Sequence, residues 1–163
     1  MAITARRATT DADWAAAVEL LARVYVGEGY TTAERARAVY QCDVLEREGT
    51  LLVAVRNNGP VCGAVLLLNA DSALSELAQH DEREFRFLAV DSAARGEGAG
   101  AALVTACIEH AHNAKAVVLW TRPEMLAAQR LYTRLGFVRC AELDTDDLRG
   151  FKRLVFRKVL GAE

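Results

Sequence analysis

Residues 84–114 read EFRFLAVDSAARGEGAGAALVTACIEHAHNA, and this stretch decides how the remainder of the chain is arranged. An apolar strand over 84–90 is followed by a turn, an Arg/Gly loop and an alanine-rich pattern that predicts a long helix from Ala99. Arg95, Gly96, Gly98 and Gly100 fall where that helix begins, so the unpaired N–H groups of its first turn face whatever the loop holds. An anion suits such a helix start. Glycine removes the Cβ atoms that would hold a phosphate off the backbone, and the Arg95 guanidinium binds two oxygens at once. Arg95-Gly96-Glu97-Gly98-Ala99-Gly100 therefore reads as a pyrophosphate cradle.

Two other glycine motifs compete with that reading. A P-loop ends in Gly-Lys-Ser/Thr, and RGEGAGAAL carries neither the lysine nor the hydroxyl. The dinucleotide fingerprint G-x-G-x-x-A is met letter for letter from Gly96 to Ala101, but its surroundings differ. Asp91 to Arg95 intervene after the strand, and the next strand, 116–120, runs into Thr121 and Arg122 where an acidic residue for a ribose belongs. A nicotinamide-binding oxidoreductase thus rests on spelling alone, and an NADH titration is expected to show no binding.

At 163 residues the chain predicts one domain, 1–163, with a core that needs no staples. Its net charge of −2 is spread over interspersed acidic and basic residues, which offers no basic stripe for nucleic acid. The longest apolar runs, 51–55 and 61–68, are too short to span a bilayer, and the N-terminus lacks an apolar secretory core. A cytoplasmic location is the default, with no membrane partner. Cys42, Cys62, Cys107 and Cys140 form no C-x-x-C pair and are expected to be small buried hydrophobes. No metal site is expected, since His110 and His112 cannot share a helix face and His80 stands apart.

In chain order, a strand is predicted at 2–8. A helix starting in a Thr10/Asp13 capping box runs to about Gly27, and a second starting in a Thr31/Glu34 box runs to about Glu48, with Gly49 after its end. Strands 51–56 and 61–68 are joined by Asn57-Asn58-Gly59-Pro60, a strong hairpin signal. Residues 69–83 are mixed, with a helical turn near 74–77. The strand at 84–90, the helix from Ala99 and the strand at 116–120 make one parallel crossover. Pro123 or Glu124 opens a further helix that Gly136 ends, and strands at 137–143 and 151–160 close the chain.

With this order in view, the sequence resembles the GNAT superfamily of acetyl-CoA-dependent N-acetyltransferases. LAVDSAARGEGAGAAL is similar to that family's strand, its R/Q-x-x-G-x-G/A loop (Arg95, Gly98, Gly100) and the following helix; MLAAQRLYTRLGF is similar to its A-x-x-L-Y-x-x-x-G-F motif through Ala128, Leu131, Tyr132, Gly136 and Phe137. The resemblance implies an α/β fold with a central mixed sheet of about seven strands flanked by about four helices. It also implies that the 84–90 strand splays from its neighbour, so that the main chain of Leu88, Ala89 and Val90 binds the pantetheine arm and one N–H polarises the thioester carbonyl.

The implied activity is direct attack of an acceptor amine on acetyl-CoA, without metal. Glu84 is the candidate general base, with Asp81 and Glu82 as substitutes, and Tyr132 is the candidate acid for the leaving thiolate. Tyr25, Glu28, Tyr30 and Trp120 are candidates for the acceptor pocket, where the carboxylates suit a cationic amine and the rings an apolar one. Many relatives carry asparagine where Met125 stands, and methionine cannot donate that amide hydrogen bond. The acceptor itself, a small-molecule or protein amine, is not written in these motifs. A CoA-binding sensor without useful turnover is the alternative, and homodimers are common in the family the chain resembles.

Overall fold

The computed structural model describes residues 2–161, in the order β1 (Ile3–Arg7), α1 (Asp11–Gly27), α2 (Ala33–Val39), α3 (Cys42–Glu48), β2 (Gly49–Arg56), β3 (Val61–Leu68), β4 (Glu82–Val90), α4 (Ala99–His110), β5 (Ala116–Thr121), α5 (Leu126–Arg134), β6 (Val138–Arg139), β7 (Thr145–Asp146) and β8 (Lys152–Val159). The strands form one mixed sheet in the order β1-β2-β3-β4-β5-β8-β6, with β7 beside β8; β4 and β5 run parallel and the other described pairs antiparallel. Alternation along β2 shows why helices cover both faces. Leu52 and Ala54 join Leu103 and Cys107 of α4, whereas Leu51 and Val53 join Leu20 and Leu21 of α1 and Leu45 of α3. Asn57 and Asn58 both take positive φ, the left-handed pair that the β2–β3 hairpin needs. Among the described residues no helix is long and apolar enough to cross a membrane.

The Thr10/Asp13 capping box forms at the start of α1, and Asp13 also binds Arg6 at 2.7 Å. The second helical stretch differs from its expectation. Its cap is Thr32 rather than Thr31, and it breaks in two because Tyr40 turns inward onto Tyr25 and Phe87 while Gln41 reaches back to the Arg37 carbonyl at 2.6 Å. Gly49 does not end a helix in the left-handed region. It opens β2 in extended form, where a Cβ would meet the Leu67 carbonyl oxygen at 2.4 Å.

Three further boundaries move. Residues 69–81 hold turns and no helix, and β4 begins at Glu82. The last helix starts at Leu126, not at Pro123 or Glu124. The predicted strand 137–143 shrinks to two residues, because Asp144 turns back to accept from the Val155 N–H at 3.0 Å and binds Arg139 at 2.6 Å. Of the cysteines, Cys62 and Cys107 are buried; Cys42 is exposed and Cys140 only partly covered, so half of that expectation fails.

Candidate active site

The sheet opens in its middle. β4 and β5 pair only at Glu82/Ala116, Arg83/Val117 and Glu84/Val118, and beyond these the β5-facing edge of β4 is unpaired. A bulge against β3 sharpens the departure, since Ala64 faces Ala89 while Leu66 faces Arg86. Phe87 sits in that bulge at φ 63, a left-handed conformation that costs a β-carbon-bearing residue on the order of 1–3 kcal/mol. The bulge lets Arg86 and Phe87 share a face: Phe85 packs with α4 and Tyr132, Phe87 with Tyr25 and Tyr40, and the Arg86 guanidinium lies 4.7 Å from the Phe87 ring.

A cavity of about 430 Å³ fills the gap, lined along β4 by Phe85 to Val90 and on its far side by Met125, Ala128 and Tyr132. The Leu88 carbonyl accepts from the Tyr25 hydroxyl at 3.2 Å. Tyr132 is buried against Phe85, Phe137 and Phe156, yet its hydroxyl has no hydrogen-bond partner among the described residues. Burial pushes its phenol well above the ordinary range, so it keeps its proton and can donate it. Met125 accepts at sulfur from the Thr121 hydroxyl at 3.1 Å and also lines the cavity.

At the head of α4, Gly98 is the N-cap at φ 92 without a side-chain cap, and Gly96 takes φ 81. Nothing lies within 4 Å of a Cβ added at either, so glycine is required there by backbone conformation rather than by crowding. Gly100 differs, since a Cβ would press on Leu131 of α5 at 3.1 Å. The Glu97 carboxylate turns away to Arg56 at 2.9 Å, leaving its main chain to face the loop. Arg95 bonds the Val90 carbonyl and is paired with Glu28, which it must exchange to reach a diphosphate. The cavity lining includes Val90 and Arg95, and the 96–100 loop stands beyond it. An open, uncapped helix start beside an unpaired strand edge fits a diphosphate with an extended amide-bearing arm.

Of the acceptor candidates, Tyr25, Glu28, Tyr30 and Trp120 all line the cavity. Glu84 does not. It is 1% exposed, and its Oε1 accepts from the Ser75 hydroxyl and from the N–H groups of Glu76, Leu77 and Ala78, at 2.8 to 3.3 Å. Nor does Glu84 pair with Arg86, two residues on, which binds Glu76 at 3.2 Å. Glu82 is bound to Arg157 at 2.7 Å, and neither it nor Asp81 reaches the cavity. The sequence reading missed the cationic side of the wall: Arg35, Arg86, Arg122 and Arg149 line it, the last two lying 3.7 and 4.8 Å from the Phe151 ring.

Residues 14–137 match the family model described as the acetyltransferase (GNAT) family. A search of curated proteins finds N-acetylaspartate synthetase of Danio rerio, 43% identical over 72 residues, which are 43% of this chain and 26% of that protein; the match spans about a quarter of the curated relative's length. Among solved structures, one from Corynebacterium glutamicum described as histone acetyltransferase HPA2 and related acetyltransferase superposes with a TM-score of 0.78 at 23% identity, covering 100% of this chain and 99% of the other. PaiA N-acetyltransferase of Thermoplasma acidophilum, in complex with coenzyme A, gives 0.74 at 14% identity over 98% and 99%. These two likenesses concern the fold.

Proposed function

Because the chain belongs to the acetyltransferase (GNAT) family, we propose that it moves an acetyl group from acetyl-CoA to a primary amine, with Tyr132 as the proton donor to the leaving sulfur. The observation that carries this reading is the unpaired edge of β4 from Phe85 to Val90, which shares a cavity with a buried tyrosine hydroxyl that no protein group occupies. Main-chain groups of Leu88, Ala89 and Val90 would hold the pantetheine arm, one N–H polarising the carbonyl. Arg95 and the N–H groups of Gly96, Glu97, Gly98, Ala99 and Gly100 would hold the diphosphate.

The thioester supplies the activated acetyl group. A neutral amine nitrogen forms the new C–N bond as the C–S bond breaks; the sulfur leaves as a thiol with a proton from Tyr132, and the proton lost by nitrogen returns to the tyrosine through solvent. Tyr132 holds its proton firmly, so it serves best as a hydrogen-bond donor to charge developing on sulfur. Glu84 is assigned a different task from the one its sequence position suggested. Its Oε1 anchors the 75–78 turn beneath the pocket, and we assign it to positioning rather than to proton removal.

The test is calorimetry with acetyl-CoA, followed by thiol release across a panel of amines. Binding in the micromolar range with amine-dependent release is the expected result. Binding without release for any amine would replace this reading by that of a CoA-binding sensor, and no binding would remove both.

A further inference from the structure

We propose that the acceptor is a small amino dicarboxylic acid, its carboxylates held by a guanidinium cluster of Arg35, Arg86, Arg122 and Arg149. The inference rests on the acetyltransferase reading and specifies which amine the same site takes. Arg35, Arg86 and Arg149 all act electrostatically on the phenol of Tyr40, which packs against Tyr25 and Phe87, and Arg149 and Arg122 share the Phe151 ring. The turn bearing Arg149 is fixed by Asp147, which accepts from the Arg149 N–H and guanidinium at 2.8 Å and binds Arg153 at 2.7 Å.

Donors remain on each member of the cluster. Arg122 spends one nitrogen on the Tyr30 carbonyl at 2.7 Å and stands 3.7 Å from Glu124, which is half exposed at the rim. Arg86 uses one nitrogen for the Leu74 carbonyl and Glu76, Arg149 uses two for Asp147, and Arg35 has no carboxylate partner among the described residues. Trp120, stacked on Phe151 in the same wall, has its Nε1 buried and unpartnered. The cavity lining itself carries Arg35, Arg86, Arg95, Arg122 and Arg149 against Glu28 and Glu124; with their partners Arg153, Glu76 and Asp147 included, six guanidiniums meet four carboxylates, so two positive charges are in excess.

That excess matches two carboxylates on an acceptor whose amine reacts in its neutral form. Guanidiniums bind carboxylates in bidentate fashion, and nearby positive charge disfavours the ammonium form of the amine, easing its deprotonation in a wall whose lining carboxylates, Glu28 and Glu124, each face an arginine. A polyamine or lysine side chain would bring like charge into this wall.

The experiment measures kcat/KM by thiol release for L-aspartate, L-glutamate, L-asparagine, L-alanine, phosphoethanolamine, L-lysine and spermidine. Aspartate or glutamate is expected to exceed the neutral amino acids by about 10-fold or more, with the cations lowest. Arg35→Ala, at an exposed and unpaired position, is expected to raise the KM of the dicarboxylic substrate about 10-fold and leave the KM of acetyl-CoA unchanged. Release that is fastest with a cation, a neutral amine or phosphoethanolamine overturns the dicarboxylic assignment and leaves acetyl transfer standing. Acetyl-CoA binding with release for no amine overturns both.

Discussion

The two halves of the cavity are built from different parts of the chain's chemistry. The cofactor half, β4 from Leu88 onward with the loop to Gly100, offers main-chain groups: an unpaired strand edge and an uncapped helix start made accessible by Gly96 and Gly98. The acceptor half offers side chains from four separate segments, Arg35 on α2, Arg86 on β4, Arg122 after β5 and Arg149 in the turn before β8. A main-chain site needs glycine and spacing, which are local; a side-chain site needs tertiary structure to bring distant residues together. On the proposed reading, substrate choice resides in the half with the weaker sequence signature.

The largest expected effect falls where the halves meet. Tyr132→Phe keeps the packing against Phe85, Phe137 and Phe156 and removes only the hydroxyl, so kcat is expected to fall about 100-fold with acetyl-CoA affinity preserved. Single-turnover kinetics with calorimetry would check it, and undiminished turnover would sink the proton-donor role.

Next comes the acid response of the acceptor half. Asp147 is held far below the usual carboxylate range first by Arg149, against the cost of its burial, with Arg153 adding to the effect. A carboxylate depressed in the folded state contributes stability that is present above its unfolded pKa, about 3.9, and is lost as pH falls through its folded value. Asp147→Asn is expected to cost about 2 kcal/mol at pH 7 and to make the fall in Tm below pH 4 shallower; the similarly depressed Asp13 keeps part of that slope. The same variant should raise the acceptor KM and spare that of acetyl-CoA. A rise in both would erase the division into halves.

Gly98→Ala addresses the other side. No atom crowds a Cβ there, so the penalty is the positive φ alone, about 1–2 kcal/mol, and the KM of acetyl-CoA should rise about 10-fold with the acceptor KM unchanged.

These contrasts also explain what could be read from residues alone. Sheet order around β4-α4-β5, the hairpin at Asn57-Asn58 and the Gly98 loop were legible because each depends on local periodicity or on a residue forced by φ. The break at Tyr40 was not, since it arises from burial against Tyr25 and Phe87, elements far apart in sequence. Nor was the bulge at Phe87, which no glycine marks. Arg86 reads as a simple strand residue, and Arg149 lies in the connection between the last two expected strands; only the fold joins them across Trp120 and Phe151.

Glu84→Gln gives the smallest expected effect and the sharpest discrimination. Position and strand context made Glu84 the natural base, but a base must reach the amine within about 3 Å or through one water. Its Oε1 instead takes one hydroxyl and three backbone N–H donors from 75–78, and Arg86, two residues on along β4, occupies the wall above it. Glu84→Gln keeps an acceptor oxygen for that turn, so kcat should stay within about 3-fold and the pH-rate profile should keep its shape, where loss of a general base would cost about 100-fold or more. Glu84→Ala leaves the part-buried N–H groups of 76–78 without that acceptor and should lower stability by about 1–3 kcal/mol, with kcat of the folded fraction little changed. If Gln abolishes turnover and removes the acidic limb of the profile while the fold survives, proton removal returns to Glu84 through water at its unpartnered Oε2.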